Sequence, residues 1–374
     1  MSEWKKYRLG ELVTFQRGYD LPKTEFVNGI YPIAGSNGII GYHDKFTTKA
    51  PSFTVGRSGN IGTPIFYNDD FWAHNTVLYA KEIHCNPKFI YYLLKTIDFK
   101  HLNSGSAVPS LNRNYIHPIE ILAPDLPTQT QIASILTSFD DKIELLGQMN
   151  QTLETIAQTI FKEWFVNFNF PGFDGELVEG LPKGWRKGKV KDICSVNSNT
   201  LNSKDNVEEI HYIEISEVNK GVIKNIQKYQ RGEEPSRAKR KLMHGDTVIS
   251  TVRPNRGSYF ISLFPNENLI VSTGFAVFSP ISVPFSFLYL FLTNSDQLEL
   301  YGKMADGAAY PAINQSVIMD IDLIIPSIDV LEIFHSIVGN LFVKCHNNLD
   351  KNKTLTHLRD TLLPKLMSGQ IETV

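Results

Sequence analysis

Between Pro127 and Phe165 apolar residues return at alternating spacings of three and four: Leu136, Phe139, Ile143, Leu146, Leu153, Ala157, Ile160 and Trp164, with Asn150 taking one place in the series. That is an a/d heptad seam, and it predicts one long amphipathic helix that needs a partner helix along its length. Thr128 reads as the N-cap, with Gln131 three residues later completing a capping box. At a 1.5 Å rise per residue the helix is a rod of roughly 57 Å. A second helical stretch, Asp329–Met367, closes the chain. The rest has another rhythm. Met1–Leu126 holds short β-type runs, Ser52–Val55, Pro64–Tyr67 and Thr76–Tyr79, among Gly, Pro and Asn turn signals. Pro171, Gly172, Gly175, Gly180, Pro182 and Gly184 forbid further helix after the first rod, and a second mixed region runs from about Trp185 to Pro326.

Sliding the sequence against itself shows a repeat. At an offset of 202 residues, Gly105–Gly172 aligns with Gly307–Val374 without a gap, and fourteen positions are identical, among them Gly105/Gly307, Pro109/Pro311, Asn112/Asn314, Pro124/Pro326, Asn150/Asn352 and Leu153/Leu355. Random pairing of such a stretch gives roughly four. Upstream, Trp4-Lys5-Lys6 and Leu9-Gly10-Glu11-Leu12 echo Trp185-Arg186-Lys187 and Val190-Lys191-Asp192-Ile193, and Thr54-Val55-Gly56-Arg57 echoes Ser250-Thr251-Val252-Arg253. The order is therefore domain, helix, domain, helix, with boundaries at residues 1–126, 127–170, 171–326 and 327–374. The fold class expected is α+β: two mixed α/β domains related by pseudo-two-fold symmetry, separated by two long antiparallel helices in a coiled coil. Such an arrangement suits a two-fold or bipartite partner, as duplex DNA sites often are.

Composition narrows the class without changing that picture. Hydrophobic content of 42% and charged content of 20% are those of an ordinary globular protein. The charged opening MSEWKKYRLGEL argues against a signal peptide, and the longest apolar run, Phe285–Leu292, is too short to cross a bilayer. Cys85, Cys194 and Cys345 have no paired spacing, which fits a reducing cytoplasm. A net charge of −2 argues against a generally basic nucleic-acid coat but leaves room for local patches.

The sequence resembles the specificity subunit of type I restriction–modification systems over essentially its whole length. The marks are the opening Trp4–Leu12 (W-x-x-x-x-L-G-E-L), the turn Gly105–Asn112 and its echo Gly307–Asn314, the helix end TLETIAQTIFKEWFVNF, and TLLPKLMSGQI at Thr361–Ile371. The resemblance implies that each mixed domain is a target-recognition domain reading one half of a split double-stranded DNA site, and that the helices set the spacing and dock two methyltransferase subunits. Those carry S-adenosylmethionine, and motor–nuclease subunits that use ATP and Mg join them; this chain binds no cofactor and does no chemistry.

For DNA contact the sharpest loop is Gly56–Gly62. It lacks both the G-x-G of a dinucleotide fingerprint and a following Gly-Lys-Ser/Thr. It reads either as a Gly-rich hairpin turn or as a loop whose glycines let backbone approach DNA while Arg57, Ser58 and Asn60 offer donors. Its counterpart keeps an arginine and changes the rest: Arg253, Asn255 and Arg256. Arg to guanine and Asn to adenine are the efficient major-groove pairings. Lys23, Lys187, Arg237, Lys239 and Arg240, from sparser and denser basic clusters, are read as phosphate contacts or as a solvated face. For spacing and docking the candidates are Leu136, Phe139, Ile143, Asn150, Leu153, Leu355 and Leu362 on the seam, with Ile135, Ile156, Phe161 and Phe165 beside it. The last four widen the apolar stripe beyond what one helix covers, so they either dock other subunits or pack against the recognition domains. Asn150 either fixes the helix register or marks a turn where the seam opens to solvent.

No Asn/Asp-Pro-Pro-Tyr/Phe, His-Glu-x-x-His or Cys-x-x-Cys occurs. Asp69-Asp70, Asp140-Asp141 and Glu208-Glu209 lack a nearby acid-x-Lys strand, and His74 and His101 read as structural. The competing readings are a stand-alone site-specific nuclease or methyltransferase, and a two-lobed scaffold with no DNA function.

Overall fold

The structure is a computed structural model that describes residues 3–102, 110–306 and 311–372. The turn Gly105–Pro109 and its echo Gly307–Tyr310, singled out in the sequence, lie outside the described residues. The chain divides into two compact units, Met1–Leu145 with Lys351–Val374, and Leu146–Asp350.

Two helices of 40 residues, Leu126–Phe165 and Ile328–Met367, carry the heptad patterns. The first starts ahead of its expected cap. Asp125, not Thr128, closes its N-terminus: the carboxylate accepts the Thr128 amide at 3.0 Å, and Thr128 lies inside the first turn. An ionised aspartate at that place also suits the positive end of the helix dipole.

In the first unit, strands Val13–Arg17, Val77–Ile83, Ser52–Gly56 and Pro64–Tyr67 form an antiparallel sheet in that spatial order. A smaller sheet sets Tyr31–Gly35 between antiparallel Gly38–His43 and parallel Trp72–Ala73. A ribbon joins Lys5–Arg8 to Glu120–Ala123. Helix Pro87–Lys95 starts where the Asn86 side chain accepts the Lys88 and Phe89 amides, with Pro87 supplying a first residue that has no amide to satisfy. It buries Phe89, Ile90, Tyr92, Leu93 and Leu94. The same core takes Leu136 of the mid-chain helix and Leu366 and Met367 of the C-terminal helix.

The second unit repeats this frame. Strands Cys194–Val196, Phe275–Pro280, Asp246–Ser250 and Tyr259–Ser262 follow the same order, and Arg186–Lys189 pairs with Asp322–Ile325 as Lys5–Arg8 pairs with Glu120–Ala123. Register makes the match residue by residue. The Leu9 amide reaches the Ile119 carbonyl at 2.8 Å, and the Val190 amide reaches that of Ile321 at 3.0 Å, as the sequence echo requires. The smaller sheet recurs as Glu209–Ile213 between antiparallel Gln227–Gln230 and parallel Leu269–Ser272, and it gains an edge strand, Ala238–Lys241, on the last. The apolar run noted in the sequence is helix Phe285–Thr293, buried on nearly every side; no described helix is long and apolar enough to cross a membrane.

Within each unit the two long helices pack antiparallel, and every seam residue from Leu136 to Trp164 is buried or half-buried. Phe161 and Phe165 are not docking surface. They lie in the second core, where the Phe165 ring stands 4.9 Å from Phe287, 4.7 Å from Phe334 and 5.9 Å from Trp185. The widened stripe exists because the recognition domain covers it there. Ile135 and Ile156, 37% and 42% exposed, remain on the surface.

Candidate nucleic-acid interface

The loop Arg57–Thr63 joins the antiparallel strands Ser52–Gly56 and Pro64–Tyr67. Two glycines at its ends, Gly56 and Gly62, are needed for the protein's own packing. A Cβ on Gly56 would lie 1.8 Å from the Asn60 carbonyl oxygen, and one on Gly62, at φ +79°, would lie 2.5 Å from Phe99 Cβ. The loop thus folds back on its own strand and seats on Phe99, and only glycine permits both approaches.

Arg57 sits half-buried at the mouth of this hairpin. Its amide donates to the Thr76 carbonyl (2.8 Å), its carbonyl accepts from the Leu111 amide (2.8 Å), and its guanidinium donates to the Asn75 carbonyl (3.3 Å). Ser58 donates its amide to the Thr76 carbonyl, and exposed Asn60 accepts from the Thr63 hydroxyl through its side chain at 3.0 Å. Lys23 lines a hollow of about 360 Å³ together with Asp20, His74 and Asn75. His74 is structural: it donates from Nε2 to the Leu21 carbonyl at 3.3 Å, and its Nδ1 bonds the Thr76 hydroxyl at 3.0 Å.

Three more residues join Arg57: Arg17, which the sequence marked only as one of a sparse basic set, and Gln16 and Arg113, which it did not single out. Gln16, Arg17 and Arg113 line one cleft of about 340 Å³ with Arg57 and Asn112. Arg113 follows the Asn112 of the repeated turn, and Arg17 ends an alternating strand, V-T-F-Q-R; those positions were the available signal. Asn112 is partly committed, since its side-chain oxygen caps the short helix Arg113–Ile116 through the Asn114 amide.

In the second unit the arginine loop is not placed as the sequence echo suggested. The Leu111 amide bonds the Arg57 carbonyl, and its repeat partner Ile313 bonds Thr251; the Arg57 amide bonds Thr76, and the Thr251 amide bonds Gly274. Thr251 therefore occupies the place of Arg57, and Arg253 lies two residues further along. It is held at φ +48° with its amide on the Pro311 carbonyl at 2.8 Å. A motif match aligned the arginines, whereas the sheet register aligns the backbone. Asn255 and Arg256 follow on an exposed 3₁₀ turn, Pro254–Arg256, with Asn255 against Gly302. Arg237 comes close to this loop, because its carbonyl accepts the Thr273 amide next to Gly274. Lys239 and Arg240 lie farther along strand Ala238–Lys241.

Lys187 is exposed on the ribbon strand Arg186–Lys189, apart from the loop. Around it two members of the basic run are paired: Lys191 with Asp320 at 2.8 Å and Lys189 with Asp322 at 3.8 Å. Lys241 pairs likewise with Asp205 at 2.8 Å. Among the described residues no cluster of three or more His, Cys, Asp or Glu has the makings of a metal site.

The family model for the type I restriction modification DNA specificity domain matches residues 1–155 and 182–343. The MjaIX specificity subunit of Methanocaldococcus jannaschii is 28% identical over 76% of this chain and 69% of its own length. The HindI specificity subunit of Haemophilus influenzae is 25% identical over 99% of this chain and all of its own. The crystal structure of the type I restriction–modification S subunit from M. genitalium superposes with a TM-score of 0.66 at 19% identity, over 98% of this chain and 96% of that one, which establishes the shared fold. Two copies of one frame, a long helix after each and this coverage lead to one assignment: the chain belongs to the family of type I restriction–modification DNA specificity subunits.

Proposed function

We propose that the two recognition domains read the two halves of one split duplex-DNA site, the first through Arg57, Ser58 and Asn60 and the second through Arg253, Asn255 and Arg256. The observation that carries this reading is the matched frame with unmatched tips. The sheets that carry the two hairpins agree strand for strand, while the hairpin after Ser52–Gly56 and that after Asp246–Ser250 differ in path and side chains. A common scaffold with different loops is what two readers of different sequences need. Lys23, Arg237, Lys239 and Arg240, outside the two loops in sequence, supply phosphate contacts that hold register without reading bases in this reading. Lys187, among its paired neighbours, is a solvated residue in this reading.

The chain acts without a catalytic group of its own. Two methyltransferase subunits carrying S-adenosylmethionine modify adenine, and motor–nuclease subunits with ATP and Mg complete the assembly. Ile135 and Ile156 are among the apolar positions left exposed on the mid-chain helix for such subunits, with Leu145 and Met149. The test is to map adenine methylation in cells with and without this chain while the partner subunits are held constant. Loss of one split, asymmetric methylated sequence is expected. An unchanged methylation map refutes the reading, and metal-dependent cleavage or methylation by the purified chain alone favours an enzyme instead.

A further inference from the structure

Two residues of the hollow around Lys23, Asp20 and Asn75, bond the two arginines that line the cleft, Arg17 and Arg57. Arg17 Nη2 donates to Asp20 Oδ1 at 2.7 Å; the Asn75 side-chain amide donates to the same oxygen; and the Asn75 main-chain carbonyl accepts from Arg57 Nη1 at 3.3 Å. Arg17 and Arg57 are thereby tied, through Asp20 and Asn75, on the wall of one cleft. Asp20 is exposed, and its hydrogen bonds from Asn75 and Arg17 hold its carboxyl below the ordinary range, so it is ionised at neutral pH. An exposed carboxylate beside arginines that meet DNA lowers the attraction to phosphate. Its placement makes sense if it restricts the rotamers of a guanidinium, because a fork fixed in advance loses less entropy on pairing with a base. None of this recurs in the second unit: by register, Ser198 replaces Arg17, Thr251 replaces Arg57 and Gln315 replaces Arg113.

We propose that Arg17 and Arg57 form a pre-set pair that reads guanine in the half-site of the first domain, with Asp20 and Asn75 as positioning residues, and that the second domain reads its half by a different device. This rests on the DNA-reading role proposed above. Arginine presents two parallel donors that match the O6 and N7 of guanine.

The experiment compares methylation maps of the complete complex carrying wild-type chain, Asp20→Ala, Arg57→Lys or Arg253→Lys. Asp20→Ala should keep methylation of the cognate site and extend it to sites with a substituted guanine in one half only, discrimination at that base falling about tenfold or more. Arg57→Lys, which keeps the charge and loses the fork, should relax the same half, and Arg253→Lys the other. If Asp20→Ala strengthens binding at all sequences with discrimination intact, the carboxylate is merely a repulsive charge and the proposal falls. It falls equally if Arg57→Lys and Arg253→Lys relax the same half. Should Asp20→Ala fail to fold, judged by its melting profile, Arg57→Lys decides alone: unchanged discrimination in both halves overturns the pair. If the wild-type chain directs no split sequence at all, the DNA-reading role itself has failed rather than this pairing.

Discussion

Asn150 Nδ2 donates to the main-chain carbonyl of Cys345 at 3.1 Å, tying the mid-chain helix to the C-terminal helix across the apolar seam. Asn348 donates in turn to Asn150 Oδ1 at 2.8 Å. The repeat partner of this contact is present too: Asn352 Nδ2 donates to the Ile143 carbonyl at 3.2 Å, and Ile143 aligns with Cys345 at the 202-residue offset. An asparagine at a seam position therefore closes on the facing backbone in each unit and opposes sliding of one helix along the other.

The two asparagines should differ in worth. Asn150→Leu leaves buried Asn348 without its partner and is expected to cost about 1–3 kcal/mol. Among the described residues Asn352 Oδ1 is buried with no partner, so Asn352→Leu removes an unsatisfied acceptor along with one bond and should change stability by about 1 kcal/mol or less. Urea midpoints of the two variants are the check; equal losses would contradict the ranking.

Asp140 ties three elements of the first unit. It accepts from Arg359 at 2.6 Å and from the Tyr92 hydroxyl at 2.7 Å, with Lys95 at 4.0 Å. Burial pushes its carboxyl up, and the Tyr92 and Arg359 bonds together with Lys95 outweigh that and hold it below the ordinary value. A depressed carboxylate contributes stability that is full above the unfolded value, about 3.9, and is lost as pH falls through the lower folded one. Asp140→Asn should therefore melt earlier than wild type at pH 7, with the gap narrowing below about pH 4. A gap independent of pH would show that the charge contributes nothing.

Phe165 and Ile156 separate packing from docking. Phe165→Ala opens a hole among Phe287, Phe334 and Trp185 and should cost about 3–5 kcal/mol, with faster amide exchange in residues 146–350. Exposed Ile156→Ala should stay within about 0.5 kcal/mol of wild type. Its expected effect is weaker co-purification of methyltransferase with the chain; unaltered co-purification argues against this surface.

Gly56→Ala tests the hairpin. A methyl group 1.8 Å from the Asn60 carbonyl forces the loop off its strand. Methylation mapping should show one half-site lost and the other kept, with Arg57→Ala giving the same half. Loss of both halves would mean that the loop supports more than its own domain.

The sequence alone determined the two-fold repetition, the two long helices and the family, because heptad spacing and an ungapped offset are one-dimensional signals that survive without coordinates. The ribbon echo from Trp4 and Trp185 was likewise correct to the residue, since no insertion separates those strands from the turns that follow. Tertiary structure decided what depends on chain segments meeting. It moved the helix cap to Asp125, because cap choice turns on which side chain reaches the free amides. It placed Phe161 and Phe165 in a core, because a stripe pattern records that a face is apolar but not what covers it. It set Thr251 rather than Arg253 opposite Arg57, because hairpins of unequal path hide their register until the strands pair. And it brought Arg17, Asp20, Arg57 and Asn75, spread over 59 positions of chain, into one bonded set, which no local pattern encodes.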